Sequence, residues 1–287
     1  MLEELSQLWE YRHLLVNLVA RDMKVRYKNS VLGFLWSFIV PLAQVATLTV
    51  VFKILMGIKA PNYSAYILCA MIPFNFFSLA VLESTTSILA HASLVKKTYF
   101  PREILPASVV IANFIHFALA MGVFLLYLVA LRFIFPSNPP PIKVTWLLLP
   151  VLMVINFMMV MGISLFLSAL NTFYEDVKYM TSVFMGIFFY MLPIIYLMEM
   201  VIQKTYNHMR YLPLLKAHYF FNPLCYLITA YRKILMPPFN SEVRDVLVRD
   251  IPLNYEYLGI AALISFLIMV AGYAFFNSKK WYFAERM

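Results

Sequence analysis

Arg21, Lys24, Arg26 and Lys28 place four cations within eight residues, and Gly33, Phe34, Leu35 and Trp36 then open a long apolar run. A guanidinium grips phosphate through two parallel hydrogen bonds, and an ammonium acts as a point charge. The cluster is therefore suited to anionic headgroups, and it holds the chain on one side of a membrane while the next residues insert. Other reactive groups are sparse. A nucleotide-binding P-loop needs Gly-Lys before Ser or Thr, and none of the seven glycines precedes a lysine. Cys69 and Cys225 have no CxxC or histidine-rich neighbourhood, which points to buried free thiols and to no metal site. There is no HExxH, no GxSxG and no carboxylate pair placed for acid–base work. Glu83, at the end of the apolar stretch 63–82, and His116, within 107–131, are the intramembrane ionisable candidates, with Lys53 near the end of 34–56; such groups are functional candidates. His116 reads as a neutral histidine bonded across helices. For Glu83 a helix-packing contact and a role near a cytoplasmic opening both stay open.

The elements that carry these residues follow from composition. The chain has 287 residues, 63% hydrophobic and 13% charged, with net charge +9. A soluble domain averages about 45–50% apolar and about 25% charged. Most of this surface must face lipid, so the positive charge reads as topology and headgroup contact, with no nucleic-acid partner expected. About 20 apolar residues cross the hydrocarbon as a helix. Six stretches qualify: 34–56, 63–82, 107–131, 146–170, 179–198 and 257–276. The expected fold class is thus an all-α polytopic membrane protein forming a single transmembrane domain over 1–287. An N-terminus carrying Glu3 and Glu4, with its first long apolar run near Phe34, is not expected to be a signal peptide.

Six spans place both termini on one side, together with Arg12, the opening cluster, Lys96, Lys97, Arg102, Lys178, Lys279, Lys280 and Arg286. The positive-inside rule makes that side cytoplasmic. Residues 1–20 read as an amphipathic helix in the membrane interface, with Trp9 at headgroup depth. Residues 212–237 are apolar but interrupted by Lys216, His218, Asn222 and Pro223. A seventh span there would export the basic C-terminus, so a re-entrant helical hairpin on the external side between spans five and six is expected. The segment 237–256 reads as an exposed connection.

Four stretches carry a resemblance. RDMKVRYKNSVLGFLW (21–36), SLVKKTYFPREILP (93–106), NTFYEDVKYM (171–180) and FNPLCYLITAYRKIL (221–235) are together similar to the membrane subunits of ABC transporters that export lipid-linked polysaccharides, the O-antigen and teichoic-acid exporters. The likeness runs in order over nearly the whole chain. It implies a homodimeric permease in the bacterial inner (plasma) membrane, with two copies of a separate cytoplasmic ATPase that binds the ATP and Mg. This chain then holds no cofactor and is no enzyme. The likeness also implies that Ser93, Leu94, Lys96, Lys97, Tyr99, Phe100, Pro101, Arg102 and Glu103, within 91–104, form the coupling helix seated on that ATPase. Phe221, Asn222, Pro223, Tyr226, Tyr231 and Arg232 would belong to an external gate, and spans one and five would line the channel.

Under that resemblance the substrate is a polymer whose hydroxyls cannot enter hydrocarbon unsatisfied. Aromatic rings pack against sugar C–H faces while the hydroxyls stay wet, and the chain is 17% aromatic. Phe34, Trp36, Phe38, Phe188, Tyr190 and Tyr196 are the candidate lining, against a background of lipid-facing aromatics. Arg21, Lys24, Arg26 and Lys28 are the candidate contacts for a lipid pyrophosphate arriving at the mouth, against plain anchoring to anionic lipid. The rivals are a drug or lipid exporter, a polytopic enzyme acting on polyprenyl-linked sugars, and a membrane scaffold.

Overall fold

The structure, a computed structural model, describes residues 9–27, 35–51, 63–134, 143–196, 198–199, 218–219, 222–237, 241–243, 246–248, 250 and 252–286. In chain order the helices are α1 (Arg12–Tyr27), α2 (Trp36–Thr49), α3 (Tyr63–Ala90), α4 (Ala92–Lys97), α5 (Ile104–Ile134), α6 (Leu149–Phe173), α7 (Val177–Met191), α8 (Pro223–Leu235), α9 (Tyr255–Lys279) and α10 (Phe283–Arg286). Short 3-10 turns, Val144–Leu148 and Lys280–Tyr282, precede α6 and follow α9. A two-stranded antiparallel hairpin, β1 (Ser241–Val243) with β2 (Val246–Val248), interrupts the stretch expected to be a plain connection.

Among the described residues, four helical segments are long and apolar enough to cross a membrane: Ser64–Ala90, Ile104–Phe133, Val144–Phe173 and Tyr255–Tyr282. They coincide with expected spans two, three, four and six. α2 covers 36–49 of expected span one, whose remaining residues are largely outside the description. α7 stops at Met191, short of the expected end at 198. Its 15 residues give about 22 Å of helix, less than the roughly 30 Å of a bilayer core. The stop has a local cause. Leu192 is extended before Pro193, the conformation a following proline imposes.

α3 is the central element, packed against α2, α5, α6, α7 and α8. Its polar residues do not prevent burial. Ser84 and Thr85 donate to Val81 O at 3.0 and 2.7 Å, and Ser87 donates to Ser84 O at 2.7 Å, so each hydroxyl is satisfied on its own helix. Pro73 lies inside α3, and its carbonyl accepts from Asn156 Nδ2 of α6 at 3.4 Å. Rings tie the neighbours together: Phe76 stacks on Phe117 at 4.9 Å, Phe114 meets Phe157 edge-on at 5.0 Å, and Phe117 meets Tyr231 at 6.4 Å.

Among the described residues α6 and α9 approach backbone to backbone. A Cβ at Gly272 would lie 2.0 Å from Gly162 O, and one at Gly162 would lie 2.4 Å from Ile268 O. Only glycine admits this backbone approach, the small-residue packing on which membrane helices rely. Gly272→Ala is expected to cost about 1–3 kcal/mol by forcing the pair apart. Gly122→Ala, whose Cβ would meet nothing within 4 Å, is expected to be neutral or slightly stabilising. Thermal melting of the two purified variants checks this, and equal melting temperatures would contradict it.

α1 differs from the expected interface helix in extent. It continues past residue 20 to Tyr27 and packs along α5. Leu18 joins Ile104 and Leu105 in one apolar cluster, and Arg26 reaches Asn113. Arg21, Lys24 and Arg26 therefore lie on a helix that follows another, rather than in a connection before span one. Trp9 is 71% exposed.

Candidate functional site

At the end of the bundle that carries α1 and α10, the chain between α3 and α5 forms a small two-faced platform. α4 is only six residues long, and its inner side is pinned: Val95, Phe100, Ile104 and Leu105 are buried with Leu18, and Tyr11, Leu14, Leu15 and Leu94 pack around them. Tyr11 donates from its hydroxyl to Tyr99 O at 3.4 Å. The C-terminal segment braces the other flank. Arg102 Nη1 donates to Lys280 O, and Lys280 Nζ lies 3.7 Å from Glu103 Oε1. Ser93, Lys96, Lys97 and Tyr99 face outward, Tyr99 at 78% exposure. The nine residues assigned to this loop thus divide. Phe100 and Glu103 are buried, Leu94, Pro101 and Arg102 are half-buried, and the rest form the outer surface.

Two of the four clustered cations, Arg21 and Arg26, are engaged within the chain. Arg21 pairs with Asp22 at 2.8 Å and donates from Nη2 to His91 Nε2 at 2.7 Å. His91 Nδ1 lies 2.8 Å from Ser87 O, which makes Nδ1 the protonated nitrogen and Nε2 the acceptor. Arg26 pairs with Glu83 at 2.5 Å and donates to Asn113 Oδ1 at 3.0 Å. Lys24 is exposed, and Lys28 lies outside the described residues. Glu83 is thereby a helix-packing partner, and its partner is one of the cations singled out for phosphate.

At the opposite end Arg232 is the hub. It is 3% exposed. Its Nε donates to Tyr66 O at 3.2 Å, Nη2 to Ile194 O at 2.5 Å, and Nη1 to Pro193 O and, at 3.4 Å, to Tyr196 O. Its guanidinium carbon sits 3.7 Å above the Tyr66 ring. The carbonyls of Pro193, Ile194 and Tyr196 follow the early stop of α7, where helix hydrogen bonds run out, and that of Tyr66 belongs to α3. Beside it Lys233 bridges Glu199 and Asp250, and Lys143 Nζ donates to Met236 O at 3.0 Å. Burial lowers the Lys143 ammonium below its ordinary value; Asp250 opposes the shift and Lys233 adds to it. The group lines a polar cavity of about 20 Å³, room for roughly one water. Arg232 stands among the sequence candidates, whereas Glu199, Lys233 and Asp250 do not, because they come together only through the fold. The signal was a charged pair, Arg232–Lys233, in an otherwise apolar helix.

The other described candidates for an external gate sit on or cap the same helix. Asn222 caps α8, its Oδ1 accepting from Leu224 N at 3.1 Å and Cys225 N at 3.3 Å. Tyr226 donates to Asn254 O, Tyr231 is fully buried, and Pro223 is buried in the first turn. Phe221 lies outside the described residues. α8 packs on α3, α6 and α9.

The aromatic candidates are dispersed. Tyr190 is 71% exposed and Trp36 49% exposed. Phe188 is half-buried, stacked on Phe184 at 5.2 Å and 5.9 Å from Phe77. Tyr196 donates to Met191 O at 2.6 Å. Phe34 and the side chain of Phe38 lie outside the described residues. An open cavity of about 910 Å³ runs between α6, α7 and the start of α8, lined almost wholly by apolar groups such as Met159, Phe166, Phe184, Phe188 and Pro223. Of the aromatic candidates whose side chains are described, Phe188 lines it and Trp36, Tyr190 and Tyr196 do not. Among the described residues no group of three or more His, Cys, Asp or Glu is placed to hold a metal ion.

Comparison with known proteins gives a consistent picture. The O-antigen export system permease protein RfbA of Klebsiella pneumoniae is 31% identical over 273 residues, covering 95% of this chain and 94% of that protein. RfbA of Myxococcus xanthus is 27% identical over 287 residues, 99% of each chain. The polysialic acid transport protein KpsM of Escherichia coli is 22% identical over 259 residues, 89% of this chain and 90% of its own. Residues 13–236 match the family described as ABC-2 type transporter. The chain belongs to the ABC-2 type transporter family.

Proposed function

We propose that this chain is the membrane-spanning, channel-forming subunit of an ATP-driven exporter that moves lipid-linked polysaccharide, such as O-antigen, out of the cytoplasm. Two copies work with two copies of a separate ATPase subunit in the bacterial inner membrane, both termini facing the cytoplasm. The observation that carries the reading is the platform 91–106. Its inner side is fixed by α1 and by Lys280, while Lys96, Lys97 and Tyr99 face outward. A short element held from below and open above can receive force from a soluble companion. Near-full-length similarity to proteins named O-antigen export permeases supports the cargo class. The sequence itself has no glycine followed by lysine, so ATP is bound by the companion.

In this reading α2 and α7 are parts of the first and fifth of six spans. The outward apolar faces of α7 (Tyr179, Met180, Val183, Phe184, Ile187, Tyr190) and α2 (Trp36, Ile39, Leu42) border the path between two copies. Trp36 and Tyr190 then offer ring faces to the sugar, each contact weak enough to release it. α8 is the buried arm of an external re-entrant hairpin. A lipid or drug exporter is the second reading, favoured by the apolar lining of the 910 Å³ cavity.

Arg21 and Arg26 contact the phosphates of the lipid carrier at the cytoplasmic mouth. Arg21→Ala and Arg26→Ala are each expected to lower polysaccharide export about tenfold, one charge-assisted contact being worth about 1.5–3 kcal/mol. Insertion and orientation stay unchanged. Surface appearance of polymer, read beside protease accessibility of the termini, checks this. Wild-type export in both variants would remove the phosphate role.

A further inference from the structure

Arg26, Glu83 and Asn113 come from three helices, α1, α3 and α5, and meet as a closed triangle. Arg26 Nη2 donates to Glu83 Oε2 at 2.5 Å and Nη1 donates to Asn113 Oδ1 at 3.0 Å. Asn113 Nδ2 donates to the same Glu83 oxygen at 2.7 Å and also to Val109 O at 3.0 Å. At Glu83 and Asn113 the triangle lies about two helical turns in from the helix ends. Glu83 is seven residues from the end of α3 and Asn113 nine from the start of α5, or about 10–14 Å along the helices. Charges at such a depth persist only when paired. Yet the pair is not sealed: the Arg26 side chain is 25% exposed and the Glu83 side chain 42%.

We propose that Glu83 is a specificity-determining residue, the resident anion of an Arg26–Asn113 subsite, which a carrier lipid must displace with its own phosphate oxygens. The proposal rests on the reading of Arg26 as a phosphate contact. A carboxylate and a phosphodiester each carry one negative charge. An ordinary phospholipid that displaces Glu83 exchanges like for like and gains nothing in Coulomb energy. A pyrophosphate carries more charge and more acceptor oxygens on adjacent phosphorus atoms, so it wins the exchange. Selectivity arises because Glu83 penalises the wrong ligand, and not only because Arg26 attracts the right one. A mouth immersed in phospholipid needs that discrimination.

The test uses the assembled complex in nanodiscs of dioleoylphosphatidylcholine. Farnesyl pyrophosphate competes there with dioleoylphosphatidylglycerol. Wild type is expected to prefer the pyrophosphate about tenfold or more. Glu83→Gln keeps the shape and an acceptor for Arg26 and is expected to lose most of that preference by gaining phosphatidylglycerol affinity. Glu83→Asp keeps the charge and is expected to retain the preference. An unchanged preference in Glu83→Gln, or an equal loss in Glu83→Asp, overturns the proposal. Should Glu83→Gln fail to assemble, the double variant Arg26→Met/Glu83→Met buries no unpaired charge and is expected to bind both lipids equally; a retained preference in it also overturns the proposal. If Arg26→Gln binds farnesyl pyrophosphate as tightly as wild type, the phosphate role of Arg26 itself fails and the proposal falls with it.

Discussion

Arg232→Leu is expected to unfold or misassemble the protein, lowering stability by about 4–5 kcal/mol or more. Four carbonyls, those of Tyr66, Pro193, Ile194 and Tyr196, take hydrogen bonds from this one guanidinium. Three of them follow α7, which ends because Pro193 cannot continue it. Each of these three carbonyls, buried or part-buried, costs about 1–3 kcal/mol when left without a donor. Leucine fills part of the volume and donates nothing. Arg232→Lys is expected to recover only part of the loss, since an ammonium cannot span the fork of a guanidinium. Thermal unfolding of the purified variants, followed by size-exclusion recovery, reads the effect. A leucine variant as stable as wild type would mean that these carbonyls find other donors, and Arg232 would lose its role.

The second large effect separates the two faces of the platform. Lys97 lies on the outer surface, whereas Arg102 reaches inward to Lys280 O. Lys97→Glu is expected to leave stability within about 0.5 kcal/mol, as surface changes do, and to lower substrate-stimulated ATP hydrolysis by the complex about tenfold. Reversing a charge in an interface replaces an attraction by a repulsion. Arg102→Ala is expected to lower both stability, by about 1.5–3 kcal/mol, and coupling, because the platform loses its brace from the C-terminal segment. Unchanged hydrolysis and export in Lys97→Glu would show that the companion docks elsewhere. Unchanged melting in Arg102→Ala would show that the brace contributes little.

Much of the framework was legible in the sequence because hydrocarbon imposes a length and a composition on anything that crosses it. Expected spans 63–82, 107–131, 146–170 and 257–276 became α3, α5, α6 and α9. α3 runs further than the apolar run, to Ala90, because its extra polar residues are satisfied locally, as at Ser84, Thr85 and Ser87, or across helices, as at Glu83. α7 runs less far because backbone geometry at Pro193 outweighs a run of apolar side chains. The charge partners were not legible. Arg26 and Glu83 are 57 residues apart, and Arg102 and Lys280 are 178 apart. Periodicity speaks only of neighbours within a turn or two. Glu83 was recognisable as an anomaly inside a span, but nothing in its vicinity named Arg26. Lys233, Glu199 and Asp250 were not singled out: Lys233 sits beside Arg232 in an otherwise apolar helix, Glu199 lies just past the fifth apolar stretch, and Asp250 lies within 237–256, which read as a connection.

The central claim is that this chain is a passage driven by a separate ATPase. The most direct measurement reconstitutes it in liposomes, alone and with its companion subunit, and follows a labelled lipid-linked polysaccharide to the far side. The account predicts no movement by the chain alone, with or without ATP, and ATP-dependent movement once the companion is present. Movement by the isolated chain, or none by the complete assembly with ATP and Mg, would contradict it.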